Sequence, residues 1–194
     1  MKLIRSLFIF LIIITAIGFL AVYVYSNRFY ELPAIKKPTD IDAYTTQSRT
    51  LNFNQSGQLS DILVAKYTEH FKQDDTVNLT NPILTSFAPN RPTWHIHAQY
   101  GRVINNQHKI ILWGDVVLHR PPQKNSTEAT ILTQHLIYFQ QKKIAISNTH
   151  TTAAEPGSTL SGDDCTVNMN TNTILIRHNT RSSISPTSRD SNTK

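Results

Sequence analysis

Several kinds of residue are scarce in this chain of 194 residues, and each scarcity excludes a class of protein. Cys165 is the only cysteine, so the chain has no intrachain disulfide and no cysteine-rich zinc site. Charged residues make up 16% of the chain, against about a quarter in an average soluble protein. The polarity of the chain therefore comes largely from Asn, Gln, Ser and Thr, which favour turns and strands over exposed helices.

The motifs of common enzyme and cofactor sites are also missing. The sequence contains no Gly-rich phosphate loop, no nucleophile elbow and no zinc-binding helix motif. His95 and His97 share one face of a predicted strand, but without a third ligand nearby two surface histidines are the commoner explanation. Cys165 falls on the apolar side of another predicted strand, which favours a buried thiol over a nucleophile. We therefore predict a protein that is not an enzyme and that uses no metal or other cofactor.

The net charge of +6 is unevenly distributed along the chain. Residues 1–30 carry +3, whereas residues 41–180 carry only +1. Nucleic-acid-binding proteins present a basic patch or stripe to the phosphate backbone, and a nearly neutral domain has none. The basic composition therefore does not predict nucleic-acid binding.

The one long apolar run lies near the N-terminus. The stretch from Leu7 to Val24 has no charge, and at about 1.5 Å per residue it nearly matches a hydrocarbon core of roughly 30 Å. Lys2 and Arg5 precede it, so the positive-inside rule places the N-terminus in the cytoplasm. The chain that follows the apolar run is then on the opposite side of the membrane. A cleaved signal peptide is the alternative, but the apolar run continues well past the small residues around Gly18, which favours a retained anchor.

Composition divides the chain into five predicted segments. They are a cytoplasmic N-terminus (1–6), a transmembrane helix (7–25), a Pro-bearing linker (26–43), a folded domain (44–184) and a disordered tail (185–194). The linker and the tail have little apolar content, so neither has a core of its own.

The folded domain is predicted to be all-β. In the segment from Trp94 to Ala98, Trp94, Ile96 and Ala98 alternate with polar residues, which is typical of a strand with one buried face. No later window has a convincing helical period. Three stretches repeat a pattern of strand, polar turn and strand, which predicts hairpins. These stretches are 100–112, 136–146 and 165–176.

The alternation predicts an inner face of Phe, Trp, Leu, Ile and Val side chains. One interpretation is a plain hydrophobic core between two sheets. The other is a pair of sheets that do not close fully, so that the apolar interior holds lipid. Composition alone leaves both interpretations open.

Four segments of the folded domain carry a more specific pattern. They are Tyr44 to Phe53 (YTTQSRTLNF), Asn81 to Phe87 (NPILTSF), Pro92 to Trp94 (PTW) and Leu112 to Val116 (LWGDV). With the N-terminal anchor and the linker, these segments resemble the LptC family, the bitopic inner-membrane component of the lipopolysaccharide export machinery. The resemblance runs to about residue 180. It implies a twisted, half-open β-jellyroll in the periplasm, attached to the inner membrane by a single span.

The resemblance also implies a transport function and a set of partners. Such a protein accepts lipopolysaccharide from the permease subunits LptF and LptG, driven by the ATPase LptB, and passes it to the bridge protein LptA. The transfer uses pairing of open sheet edges, and we expect residues 160–184 to supply the edge for LptA. The alternative is a membrane-tethered β scaffold that joins subunits without binding lipid.

By the same resemblance, Ser48 and Leu79 lie near the membrane-proximal entry of the lumen, and the strand from Thr173 to Ile176 lies at its exit. Leu79 stands where the best-known relatives have an aromatic residue, so it keeps the apolar character without the stacking. The complete set predicted to contact acyl chains is Ser48, Phe53, Ile62, Val64, Leu79, Phe87, Trp94, Ile96, Leu112, Val116, Val167 and Ile174.

Overall fold

The computed structural model describes residues 41–89, 91–104, 108–123 and 126–184. These residues form twelve β-strands and contain no helix, so the prediction of an all-β domain is confirmed. Accordingly, this part of the chain has no helix of the length and hydropathy needed to span a membrane. The predicted span at residues 7–25 and the predicted tail lie outside the described residues.

The strands follow one another through short connections. Their bounds are β1 (Ile41–Phe53), β2 (Leu59–Phe71), β3 (Thr76–Thr80), β4 (Ile83–Ser86), β5 (Trp94–His97), β6 (Tyr100–Ile104), β7 (Lys109–Arg120), β8 (Ala129–Phe139), β9 (Ile144–Ser147), β10 (Thr151–Glu155), β11 (Ser158–Asn168) and β12 (Thr173–Ile184). The three predicted hairpins are confirmed as β6 with β7, β8 with β9, and β11 with β12.

The twelve strands form one antiparallel sheet that folds over on itself into two layers. Strand β7 pairs with β6 along its first half and with β5 along its second half. Strands β2, β8 and β11 change partners midway in the same manner. Layer 1 therefore contains β3, β6 and β9, and layer 2 contains β4, β5 and β10. The long strands β1, β2, β7, β8, β11 and β12 run through both layers.

The long strands bend where they pass from one layer to the other. In β7 the pairing with β8 is interrupted between Trp113 and Val116. Gly114 and Asp115, which lie in this interruption, have φ angles of 77° and 47°. A bulge of this kind bends a strand and increases its twist, and glycine adopts the positive φ without a steric penalty. Strand β11 has a similar interruption in its pairing with β12.

Connections between strands of different layers, such as β3–β4 and β5–β6, lie at the bends. Turns within one layer lie at its tip, at the far side from the bends. The tips meet along a line that we call the mouth, formed by residues 138–143 and 169–172 of layer 1 and by residues 53–61, 86–89, 120–123, 126–129 and 155–157 of layer 2. Among the described residues, no strand pairing joins the two layers at the mouth.

A single apolar core fills the space between the layers. Its largest fully buried side chains are Trp94, Tyr138, Leu84, Ile96, Ile110, Leu112, Leu118, Ile131, Leu136, Met169, Val116 and Val167. Because these side chains are shielded from water, the layers are closed on one another in this structure. Polar side-chain contacts also join the two layers at the mouth.

Candidate functional site

The inner face of layer 1 carries an uninterrupted apolar row. Strand pairing places its members opposite one another on seven successive strands, from β3 to β12. We call this row the apolar track, and it consists of Val77, Val103, Ile110, Tyr138, Ala145, Val167 and Ile174. Residues directly opposite in antiparallel strands have side chains on the same face. The track is therefore one apolar surface that crosses the layer.

Most residues predicted to contact acyl chains lie on the inner faces. Six of them are buried: Leu79, Trp94, Ile96, Leu112, Val116 and Val167. Ile174 is partly buried and packs against the core. Ser48 is half-buried and lies opposite the buried Ala65, so it faces the interior as well. The structure thus brings eight of the twelve predicted positions together.

Phe53 and Phe87 lie at the mouth rather than in the core. Phe53 is the last residue of β1 and is 61% exposed. Phe87 follows β4, is half-buried, and donates its backbone N–H to the carbonyl of Ser60 at 2.9 Å. Both side chains would meet a ligand at the entrance to the interior.

Ile62 and Val64 lie on the outer face of β2, so the prediction that they face the interior is wrong by one residue. The buried positions of this strand are Asp61, Leu63 and Ala65, and side chains alternate between faces along a strand. Alternation in the sequence is equally compatible with either face of β2 being buried. A carboxylate normally faces solvent, so the presence of Asp61 on one face favoured burial of the other face, which carries Ile62 and Val64.

A buried polar cluster joins the two layers at the mouth. We call Asp61, Ser86, Tyr138 and Lys143 the tip cluster. Lys143 Nζ donates to Asp61 Oδ1 and to the carbonyl oxygen of Ser60, each at 2.8 Å. The Tyr138 hydroxyl donates to Asp61 Oδ1 at 2.8 Å and lies 2.7 Å from Ser86 Oγ. Tyr138 and Lys143 belong to layer 1 and the other residues to layer 2, so each of these hydrogen bonds crosses between layers.

The tip cluster is almost shielded from water, which shifts its protonation equilibria. Asp61 is 1% exposed and Lys143 is 9% exposed. Burial lowers the pKa of Lys143, while the hydrogen bond to Asp61 opposes this shift. Burial also raises the pKa of Tyr138, and the charge of Asp61 raises it further. The Tyr138 hydroxyl therefore remains protonated and serves as a hydrogen-bond donor.

A second set of polar contacts joins the layers elsewhere along the mouth. Arg120, which is 3% exposed, donates from Nη1 to Asn172 Oδ1 at 2.8 Å and from Nη2 to Glu155 Oε1 at 2.9 Å. Asn172 Nδ2 donates to Ser126 Oγ at 3.1 Å. Because Asn172 lies in the β11–β12 turn of layer 1, its two contacts bridge the layers. The Arg120 guanidinium also lies 5.3 Å from the centroid of the Trp94 ring, a cation–π contact.

Two clefts open beside the tip cluster. The first has a volume of about 680 Å³ and the second about 590 Å³. Lys143 and Ser60 line both clefts. Phe53 lines the first cleft, and Phe87 lines the second. The other residues of the first cleft are Asn52, Asn54, Gln55, Ser56, Asp61, His108, Gln140 and Gln141. Side-chain amides and hydroxyls thus surround the entrance to an apolar interior.

The terminal strands β1 and β12 each have one neighbour among the described residues. Strand β1 pairs with β2, and β12 pairs with β11. Most residues of both strands are exposed. A free strand edge presents unpaired N–H and C=O groups and can accept a strand from another chain. The sheet therefore offers a pairing edge at each end.

Histidine and aspartate side chains connect both terminal strands to their neighbours. His70 Nδ1 of β2 lies 2.6 Å from Asp42 Oδ1 of β1. His178 Nδ1 of β12 lies 2.7 Å from Asp164 Oδ2 of β11. These side-chain hydrogen bonds supplement the backbone pairing of both terminal strands.

We expect the His70 contacts to stabilise the folded state more at acidic than at alkaline pH. Hydrogen bonds to Asp42 and, to a smaller extent, Asp75 raise the pKa of His70 above its ordinary value of 6.5. The contribution is therefore complete below pH 6.5 and is lost as pH rises through the folded-state pKa. Titration of the His70 ring by NMR measures that pKa, and the His70→Gln variant should lose this part of the pH dependence of stability. A folded-state pKa of 6.5 or lower would contradict the prediction.

The remaining residues considered for chemistry are a cysteine and two histidines. Cys165 is buried, as predicted, and burial raises its pKa to about 11, so the unreactive thiol form prevails near neutral pH. His95 and His97 are exposed on the outer face of β5. Across the described ranges, no group of three or more His, Cys, Asp or Glu side chains is placed to hold a metal ion.

Comparison with known proteins agrees with this architecture. A family model described as lipopolysaccharide-assembly, LptC-related, matches residues 9–185. The chain belongs to the LptC family. The resemblance of the sequence segments is thereby confirmed, and the family is one that takes part in lipopolysaccharide transport.

A solved structure with a similar fold is LptH from Pseudomonas aeruginosa, described as the LptA-homologous periplasmic component of the conserved lipopolysaccharide transport device. The TM-score is 0.53 at 10% sequence identity, and the alignment covers 65% of this LptC-family chain and 95% of LptH. At this identity the likeness concerns the fold alone. No curated protein sequence matches the chain.

Proposed function

We propose that this LptC-family chain carries lipopolysaccharide without altering it chemically and holds its acyl chains against the inner faces of the two layers. The apolar track supports this proposal, because it crosses seven strands and ends on β12, one of the two strands with a free edge. Removing acyl chains from water is favourable by about 0.8 kcal/mol per CH₂ group. A continuous apolar surface leading to a free edge is what a carrier of acyl chains requires.

The proposed route begins at the membrane and ends at the β12 edge. The chain receives lipopolysaccharide from the permease subunits LptF and LptG, driven by LptB, and passes it to the bridge protein LptA. An inner-membrane anchor at residues 7–25 holds the domain in the periplasm. Residues 173–184 offer the edge for LptA, because strand addition to an open sheet joins like sheets through backbone hydrogen bonds.

A second candidate function is a membrane-tethered scaffold that joins the subunits without binding lipid. The packing of the interior favours this alternative. Trp94, Ile96 and Leu112 have no exposed surface, so the core is complete without a bound acyl chain. The two functions differ in what the inner faces contact during transport.

Photocrosslinking separates the two functions. A photoreactive amino acid is placed at Ser48 or Ile174, which face the interior and are only partly buried, so that a larger side chain is tolerated. The full chain is assembled with LptB, LptF and LptG in proteoliposomes that contain lipopolysaccharide. We expect ATP-dependent capture of lipopolysaccharide at both positions.

Matched controls place the same amino acid at Val64 and Leu132, which are exposed on the outer face. Capture at these positions should stay at the level seen without ATP. If capture at Ser48 and Ile174 does not exceed that of the outer positions, the chain does not hold acyl chains inside, and the scaffold becomes the better interpretation.

A further inference from the structure

The surface that would hold acyl chains is covered in this structure, so the protein needs a way to uncover it. The two layers are continuous with each other at the bends, where the long strands pass between them. In the part of the chain that the structure describes, no strand pairing joins the layers at the mouth, and side chains make the contacts there. Parting the mouth uncovers the inner faces while the strand pairing within each layer is retained.

We propose that the tip cluster is a latch that holds the mouth closed while the interior is empty and that opens to admit acyl chains. The inference rests on the proposed transport function. Its basis is position: Asp61 and Ser86 lie at the tip of layer 2, and Tyr138 and Lys143 approach them from layer 1. The latch is therefore located where separation of the layers begins.

An ion pair is suited to this task because it can be exchanged for water. A buried ion pair contributes little net stability relative to an apolar contact, since desolvation of the two charges offsets their attraction. The 680 Å³ cleft borders both Asp61 and Lys143, so water reaches both charged groups as soon as the layers separate. The charges then become hydrated, and the acyl chains cover the apolar surface that would otherwise be exposed.

The clefts also account for the polar part of such a ligand. When acyl chains lie between the layers, the head of the molecule remains at the mouth. There the side chains of Asn52, Gln140 and Gln141 present amide donors and acceptors. Sugar hydroxyls and phosphate oxygens form hydrogen bonds with groups of this kind. The opened latch would thus place an apolar interior directly beside a polar entrance.

A cross-link across the mouth tests the latch without altering its residues. Gln58 lies at the tip of layer 2 and Gln141 at the tip of layer 1, both are exposed, and both line the 590 Å³ cleft. The full-length variant Gln58→Cys with Gln141→Cys is joined by a short bis-maleimide, while the buried Cys165 stays unmodified. Lipopolysaccharide capture by a photoreactive residue at Ile174 is then measured in the assembled complex.

The matched control links two positions within one layer. Gln141→Cys with Asn170→Cys places both thiols on layer 1, at the same cleft, so the same reagent cannot close the mouth. We expect capture at Ile174 to fall to the background of the Val64 control in the chain linked across the mouth. Capture should be unchanged in the chain linked within layer 1.

The outcomes distinguish the latch from the transport function on which it rests. Equal capture by the two linked chains overturns the latch and leaves the transport function standing. No capture by the unlinked chain overturns both.

A second variant weakens the latch instead: Asp61→Asn with Lys143→Gln keeps hydrogen-bonding groups and removes the charges. This variant should capture more lipopolysaccharide without ATP than the unchanged chain does, and equal or lower capture counts against the latch.

Discussion

Replacing Lys143 with methionine is expected to lower the free energy of unfolding by about 3–5 kcal/mol, because it leaves the Asp61 carboxylate buried without its cation. Asp61 is 1% exposed, and its Oδ1 atom would retain only the Tyr138 hydroxyl as a donor. For a domain of this size the thermal midpoint should fall by about 10 °C. Chemical denaturation of the chain followed by tryptophan fluorescence measures the difference.

Two further variants test whether the loss arises from the unpaired charge. Lys142→Met changes the neighbouring lysine, which is exposed and contacts the Phe139 ring, and it should cost less than about 1 kcal/mol. Asp61→Leu with Lys143→Met removes both charges and should recover much of the lost stability, since Ser86 and Tyr138 still pair with each other. If the double variant is no more stable than Lys143→Met alone, an unpaired carboxylate is not the cause.

Replacing Gly162 with valine is expected to separate β12 from the sheet and so to remove the proposed edge for LptA. A Cβ atom at this position would lie 2.6 Å from the carbonyl oxygen of His178 and 2.7 Å from Ile176 Cγ2. The first contact is with backbone, so the strand itself must move. We expect a loss of about 1–3 kcal/mol in unfolding free energy, with faster amide hydrogen exchange in β12 than in β7.

The functional consequence is measured by co-purification. If the β12 edge binds LptA, the Gly162→Val chain should retain LptF and LptG but lose LptA. Thr159→Val on the same strand is the matched control, because Thr159 is exposed and its replacement should change stability by less than about 0.5 kcal/mol. Retention of LptA by a Gly162→Val chain whose β12 exchanges rapidly would show that LptA binds elsewhere.

Local patterns predicted the strands and hairpins well, because the features that determine these elements lie close together in the chain. In the hairpin of β8 and β9, for example, two apolar segments flank a polar turn, and the turn chemistry and the alternation lie within a few neighbouring residues. The same locality explains the error in β2. Alternation has a period of two, so it defines two faces but does not say which one is buried. Tertiary contacts decided the matter: Asp61 bonds to Tyr138 and Lys143, and Leu63 and Ala65 pack in the core.

The sequence by itself determined an all-β domain with few charges, three local hairpins, a buried unreactive Cys165 and membership of the LptC family. Each of these depends on residue type, on local alternation or on a match between the sequence and the family model. Only the tertiary structure shows that a buried cluster of charged and hydroxyl groups joins the tips of the two layers. Asp61 and Lys143 are 82 residues apart in the chain, and no local pattern relates them. They meet because the long strands bend and fold the sheet, which brings the tips of its two layers together.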